Sequence, residues 1–294
     1  NPLKDRKDSH FDPQSFLDDI VATMTWREEI LDWALDHAND WDVYYQVFST
    51  TDRIGHMLMR EYDPEHPAYD AEYASQQVTA WGRTFPLSES VREVYKEADR
   101  IVGDILGRME AGELGEDPLL MIVADHGFTS FRRGVNLNNL LVELGYLVLK
   151  EGKTVEEWAQ GRSDFHPYVD WEKTRAYSMG LGKVFINLQG REPKGIVTPE
   201  EYDAVVDAIC ADLLEVTDGE GGPKVVTTAS RRDELFSGDW WKEGTTQRMV
   251  RGEPEDYTHD GFADIFLGYA PYYRVSWSNT MGGLDPSAIV DNTN

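Results

Sequence analysis

Apolar and polar positions change period several times along the 294-residue chain, and each change marks an element. Thr25-Trp26-Arg27-Glu28 fits a capping box and predicts the start of a helix carrying Ile30, Leu31, Trp33 and Ala34, ending near Asn39-Asp40. Val43-Tyr44-Tyr45-Gln46-Val47-Phe48 then reads as a β-branched and aromatic strand, mostly buried. From Ser88 onward Val91, Val94, Tyr95, Ala98, Ile101, Val102, Ile105 and Leu106 recur at helical spacing, and Gly112 and Gly115 close that helix. Leu119-Leu120-Met121-Ile122-Val123 is apolar without alternation, as a central strand covered on both faces requires. Helix, strand, helix, strand is an α/β pattern.

Further on, Asn136 to Leu144 reads as a helix, and Lys173 to Leu188 as two short strands around Gly180-Leu181-Gly182. Thr198-Pro199-Glu200-Glu201 is a second capping box, leading a helix with Tyr202, Val205, Val206, Ile209 and Leu213 inward. Asp218 to Pro223 is a Gly-rich turn, Val225-Val226 and Asp264 to Gly268 are short strands, and Tyr272 to Trp277 follows. These elements divide the chain into 1–144, a core part; 145–237, an α+β lobe or insertion; and 238–294, a return to the core.

Composition narrows the function classes. Against 54 Asp+Glu stand 28 Lys+Arg, a formal charge of −26, so a basic surface for duplex nucleic acid or anionic membrane is not expected. With 40% hydrophobic and 12% aromatic residues the chain can build a sizeable core. A single cysteine, Cys210, excludes an internal disulfide without fixing the compartment, so cytoplasmic and extracytoplasmic locations are both compatible. No apolar run is long enough to span a membrane, and the N-terminus is not a signal peptide. Oligomeric state is left open.

Two places combine Asp and His at the end of an expected buried strand, where open α/β sheets hold their ligands. In Thr51-Asp52-Arg53-Ile54-Gly55-His56 the four-residue spacing puts a carboxylate and an imidazole on one side of a helix. In Ala124-Asp125-His126-Gly127-Phe128 the glycine permits a sharp turn that lets adjacent donors converge. Oxygen and imidazole donors without thiolates suit Zn²⁺ first, and Mn²⁺ less often. Read singly, an Asp-His pair after a strand is more often a capping Asp beside a surface His, and any helix start can produce the four-residue spacing by chance; the two motifs together, in this order, favour a metal.

Thr51-Asp52-Arg53-Ile54-Gly55-His56-Met57, Asp63-Pro64-Glu65-His66-Pro67-Ala68-Tyr69, and Ala124-Asp125-His126-Gly127-Phe128 leading into Arg132-Arg133-Gly134-Val135-Asn136-Leu137 together resemble the type I phosphodiesterase/nucleotide pyrophosphatase family of the alkaline phosphatase superfamily. The stretches from Asp170 to Tyr177, Gly190 to Val197 and Gly268 to Trp277 look similar as well. The resemblance implies an α/β fold with an alkaline-phosphatase-like central sheet flanked by helices, and a smaller α+β lobe. It also implies a hydrolase of phosphodiester or nucleotide pyrophosphate bonds in small-molecule substrates, with two divalent cations, Asp52 and His56 on one and Asp125 and His126 on the other. Two such ions clamp an in-line displacement.

Relatives also place a metal-binding Asp on a first strand, a Thr or Ser nucleophile after it, and a further His in a short Gly-Asp-His segment near the end. Asn1 to Phe16 lacks that strand and the chain stops at Asn294, so the sequence reads as an inactive fragment of a longer enzyme, its nucleophile elsewhere. His259, in Tyr257-Thr258-His259-Asp260-Gly261, is the in-chain substitute for the last His. Thr50 and Thr51 are expected to end the strand and cap the next turn, His66 to fix its loop, and Trp240-Trp241 to pack in a loop. The alternatives are a phosphomutase or sulfatase-like member of the superfamily, or a binding domain with a degenerate site.

Overall fold

In the computed structural model the described residues are 12–37, 41–159, 166–236, 245–250, 253–258, 261–280 and 286–292. They form a mixed α/β molecule with two compact units, one within Asn1–Ser130 and one in Phe131–Asn292.

The first unit is built on α1 (Pro13–His37), α2 (Thr50–Tyr62), the hairpin β1 (Gln77–Ala80) and β2 (Arg83–Pro86), and α3 (Ser90–Glu110). Phe16, Leu17, Ile20 and Met24 of α1 meet Ile54 and Leu58 of α2, Val78 and Phe85 of the hairpin, and Val91, Val94 and Ile101 of α3 in one core. The stripe expected from Ser88 onward is therefore the packing face of α3, although Tyr95 and Leu106 stay exposed at its edges. Arg100 of α3 donates to both carboxylate oxygens of Glu28 on α1 at 2.7 Å, and Arg108 reaches Asp36 at 2.7 Å.

Helix α1 departs from the expected start at Thr25, which lies mid-helix and exposed. The Asp12 carboxylate accepts from the Ser15 amide at 2.9 Å and Pro13 takes the first helical position, a start signal one stretch further upstream. Once Phe16, Leu17 and Ile20 have a core to enter, the Thr25 box has no helix end to cap.

Two expected strands lie in no sheet among the described residues. Residues 43–48 join no sheet among the described residues. Their side chains alternate, with Val43, Tyr45 and Val47 outward and Tyr44 and Phe48 against the core, so the segment is half-buried rather than mostly buried. Leu119 to Val123 likewise lies in no sheet, and Leu119 is 84% and Ile122 72% exposed. Their hydropathy pattern was that of a covered strand; no described strand lies alongside to supply the ladder hydrogen bonds that such a strand needs.

The second unit holds β3 (Arg133–Val135), α4 (Leu137–Glu143), β4 (Ala176–Ser178), β5 (Lys183–Ile186), α5 (Tyr202–Glu215), β6 (Val226–Arg231), β7 (Thr245–Val250), β8 (Glu253–Thr258), β9 (Ile265–Tyr269), β10 (Tyr273–Val275) and β11 (Ile289–Asp291). Its sheets run β4-β5-β9-β6, β10-β3-β11 and β7-β8, so the four-stranded sheet joins residues on both sides of position 237. Val205, Val206, Ile209 and Leu213 of α5 pack on Val184, Ile186, Val226 and Ile265. The second capping box makes both of its hydrogen bonds, the Thr198 amide donating to Glu201 at 3.0 Å and the Glu201 amide to the Thr198 hydroxyl at 3.3 Å, but it closes a turn ahead of the helix: α5 begins at Tyr202, with Glu201 rather than Thr198 at the N-cap. Between β4 and β5, Gly182 has a φ of +62°, and an added Cβ would lie 3.1 Å from the Leu267 carbonyl oxygen, so both backbone and space demand glycine.

Beneath this sheet sits a buried ionic network. Asp264, 1% exposed, accepts from Arg191 at 2.7 and 2.9 Å, from the Tyr202 hydroxyl at 2.8 Å and from the Ile186 amide at 2.6 Å. Burial and the neighbouring carboxylates raise the Tyr177 and Tyr202 phenols above their ordinary range, so both stay protonated donors.

Candidate metal centre

Asp52 lies in the first turn of α2, where a carboxylate is favoured by the helix dipole, and His56 follows one turn later on the same side. His56 Nε2 stands 3.4 Å from Asp52 Oδ1. The segment after Val123 brings in the other pair: His126 Nε2 is 3.9 Å from Asp52 Oδ1 and 3.6 Å from Asp125 Oδ2. The four residues expected from sequence therefore converge, with Asp52 facing both imidazoles. His259 lies outside the described residues, as do Trp240 and Trp241.

Aromatic packing holds the arrangement. The Phe128 ring meets His56 edge-on with centroids 5.0 Å apart and lies 6.4 Å from the His126 ring. It also covers Gly55, where an added Cβ would come within 2.9 Å of the ring. Gly55 between the two donors of α2 is thus the seat of Phe128. The sequence signals for this were Gly55 inside a helix and Phe128 closing the second motif, but nothing in the pattern links the two.

His126 is oriented by its own loop. Its Nδ1 lies 2.9 Å from the Gly127 carbonyl oxygen, which can only accept, so Nδ1 carries the proton and Nε2 presents a lone pair toward Asp52 when the ring is neutral. The Asp125 carboxylate accepts from the His126 amide at 3.1 Å. The carbonyl of Gly127 and the charges of Asp125 and Asp52 raise the His126 pKa above its ordinary value.

These spacings suit shared coordination. Two donors each about 2.1 Å from one tetrahedral ion stand about 3.4 Å apart. The Asp52–His56 pair has that separation, and the other pairs are slightly wider. Asp125 is 89% exposed and His56 62%, so these side chains are open to solvent. Among the described residues no group of three or more His, Cys, Asp or Glu side chains is close enough to hold a metal ion as it stands. The site is a run of pairs, His56 to Asp52, Asp52 to His126 and His126 to Asp125.

Thr50 does not cap α2. It is 1% exposed with its hydroxyl 3.5 Å from the Met24 sulfur, while Ser49 holds the N-cap position without a side-chain cap. The β-branched Thr50 is drawn inward by the α1 core instead. His66 does fix its loop, its Nδ1 accepting from the Ala68 amide at 3.1 Å.

The family model described as type I phosphodiesterase / nucleotide pyrophosphatase matches residues 2–254, a span that includes both Asp/His motifs. The chain belongs to this family. Its members are phosphodiesterase and pyrophosphatase hydrolases, and the class implies small-molecule phosphoester substrates. The mixed α/β architecture is consistent with the alkaline-phosphatase-like fold that the resemblance implied. No curated protein and no solved structure matches the chain significantly. Among the described residues no helix is long and apolar enough to cross a membrane.

Proposed function

We propose that this family member is a metal-dependent phosphodiesterase or nucleotide pyrophosphatase, with Asp52, His56, Asp125 and His126 as its cation ligands. The observation that carries the reading is the meeting of two Asp/His pairs, distant in sequence, around Asp52 Oδ1 at 3.4 and 3.9 Å. Zinc fits this oxygen and imidazole donor set best, and manganese is the second choice.

The chain's own groups would do the following. Asp52 and Asp125 supply the negative charge that lets cations approach one another, so acidic residues here do not repel an anionic substrate. Phe128 holds the His56 ring in place, and the Gly127 carbonyl holds His126 with Nε2 free. A divalent ion bound there would act as a Lewis acid on a phosphoryl oxygen. The Thr50 hydroxyl, turned to Met24, is not placed to attack phosphorus.

The test joins metal content to turnover. Full-length protein that includes the nucleophile, and its Asp125→Ala and His126→Ala variants, should differ in bound zinc and in hydrolysis of an aryl phosphodiester, both falling in the variants. Equal metal and equal turnover in all three would refute the assignment. Parallel assays on a phosphomonoester, a sulfate ester and phosphoglycerate separate the phosphatase, sulfatase-like and mutase alternatives.

A further inference from the structure

Among the described residues of the second unit several arginines are committed to carboxylates: Arg133 to Asp218 at 2.7 Å, Arg191 to Asp264 at 2.7 Å, and Arg231 to Asp207 at 2.6 Å. In a chain of formal charge −26 that is the expected fate of a guanidinium. Arg274 is different. It sits in the middle of β10, an edge strand of the β10-β3-β11 sheet, and is half-buried. Its guanidinium carbon lies 5.3 Å from the Phe131 ring centroid and 5.0 Å from that of Trp277. Nε donates to the Val275 carbonyl at 3.2 Å; among the described residues the terminal nitrogens make no hydrogen bond and no carboxylate pairs with them. Burial without a counter-charge lowers the Arg274 pKa from its ordinary value, though far too little to neutralise an arginine at pH 7.

An unpaired, partly desolvated cation is costly, and stacking on two rings offsets only part of that cost. What stacking does achieve is to fix the plane of the guanidinium fork, which matches the oxygens of a phosphate or carboxylate. Trp277 keeps 53% of its surface exposed, a flat apolar face beside the fork. Next along the strand the backbone is strained: Tyr272, not a glycine, has a φ of +73°. Its carbonyl accepts from the Arg132 and Arg133 amides at 2.8 and 3.0 Å, and its ring carries the Arg132 guanidinium at 3.9 Å. Strain held by such bonds gathers where a site is being shaped.

We propose that Arg274, seated between Phe131 and Trp277, is the anion receptor of a binding site for a phosphate joined to a flat ring. The fork takes two phosphate oxygens and the Trp277 indole stacks on the ring. The site is carried by one unit alone and does not depend on the Asp/His cluster being a metal centre.

The experiment is calorimetric titration of the metal-stripped 294-residue protein with adenosine 5′-monophosphate, inorganic phosphate and adenosine, repeated in an Asp125→Ala background. The monophosphate should bind more tightly than either part alone, and equally well with Asp125 replaced. Arg274→Gln should weaken it by about tenfold to a hundredfold. Arg274→Lys, which keeps the charge and loses the fork, should fall between. Trp277→Leu should weaken the mononucleotide while leaving inorganic phosphate unchanged, which keeps the test decisive should Arg274→Gln fail to fold. Thermal melting adds a readout that a packing role would move the other way: removing an unpaired cation should leave Tm unchanged or raised. Failure of the unaltered protein to bind the monophosphate, an affinity insensitive to Arg274 and Trp277, or loss of binding in Asp125→Ala would overturn the proposal.

Discussion

At Gly55 two residue-scale effects oppose each other. Glycine inside a helix costs up to about 1 kcal/mol relative to alanine, so Gly55→Ala should stabilise α2 if nothing stood above it. The Phe128 ring does stand there, at 2.9 Å from an added Cβ. Forcing atoms into a packed contact costs about 1–3 kcal/mol, so the clash should win. Urea unfolding of Gly55→Ala is expected to show a net loss of about 1 kcal/mol, recovered in Gly55→Ala/Phe128→Ala. A variant more stable than the parent would mean that Phe128 is not seated as described. The proximity of the two Asp/His motifs was legible, since Asp52, His56, Asp125 and His126 stand in recognisable spacings and their side chains come within 4 Å of a neighbour in the set. Gly55 as a seat was not, because its reason is a ring from another segment and no local pattern encodes it. Arg274 was invisible for a similar cause: an unpaired arginine is defined by the absence of partners in space.

Elements whose caps and core face lie in one stretch were read correctly, as α3, α5 and the β4–β5 hairpin show. Helix α1 was misplaced because two start signals compete and only the core decides between Asp12 and Thr25. The β5–β9 region rests on Asp264, and Asp264→Ala would take from Arg191 its buried carboxylate partner, leaving Glu192 at 3.2 Å as its counter-charge. A loss of about 3–5 kcal/mol is expected in urea unfolding, and one below about 1 kcal/mol would show the network to be expendable. Between β3 and the turn after α5, Arg133 and Tyr273 donate to Asp218 and hold its carboxyl below the usual range. A depressed native pKa gives stability that is present above the unfolded value and lost as pH falls through the native one. The stability gap between parent and Asp218→Asn should therefore be full at neutral pH and close in acid. A gap that widened on acidification would reverse the sign.

On the scale of the whole molecule, carboxylates outnumber cations 54 to 28, so single arginines such as Arg100 and Arg231 gather several carboxylates each while the excess stays unmatched by any cation. Exposed apolar surface is the less settled feature. Leu119, Met121, Ile122 and Val123 form a β-branched and apolar run that lies in no sheet among the described residues and is 66–84% exposed. Such a run templates association between chains. Ile122→Lys should lower light scattering on heating and reduce binding of a hydrophobic dye, and no change in either would show the run to be covered in solution. Beyond it, both ends of the Asp/His cluster follow directly from the two unpaired segments, so the cluster's geometry hangs on how those segments are held. Equilibrium dialysis of the protein against zinc, with Asp52→Asn beside it, reaches the central question most directly, because Asp52 is the one carboxylate that faces both imidazoles. A metal centre built on it predicts zinc bound by the parent and an affinity lower by about tenfold or more in Asp52→Asn. Equal zinc binding by the two proteins, or none by the parent, would contradict it.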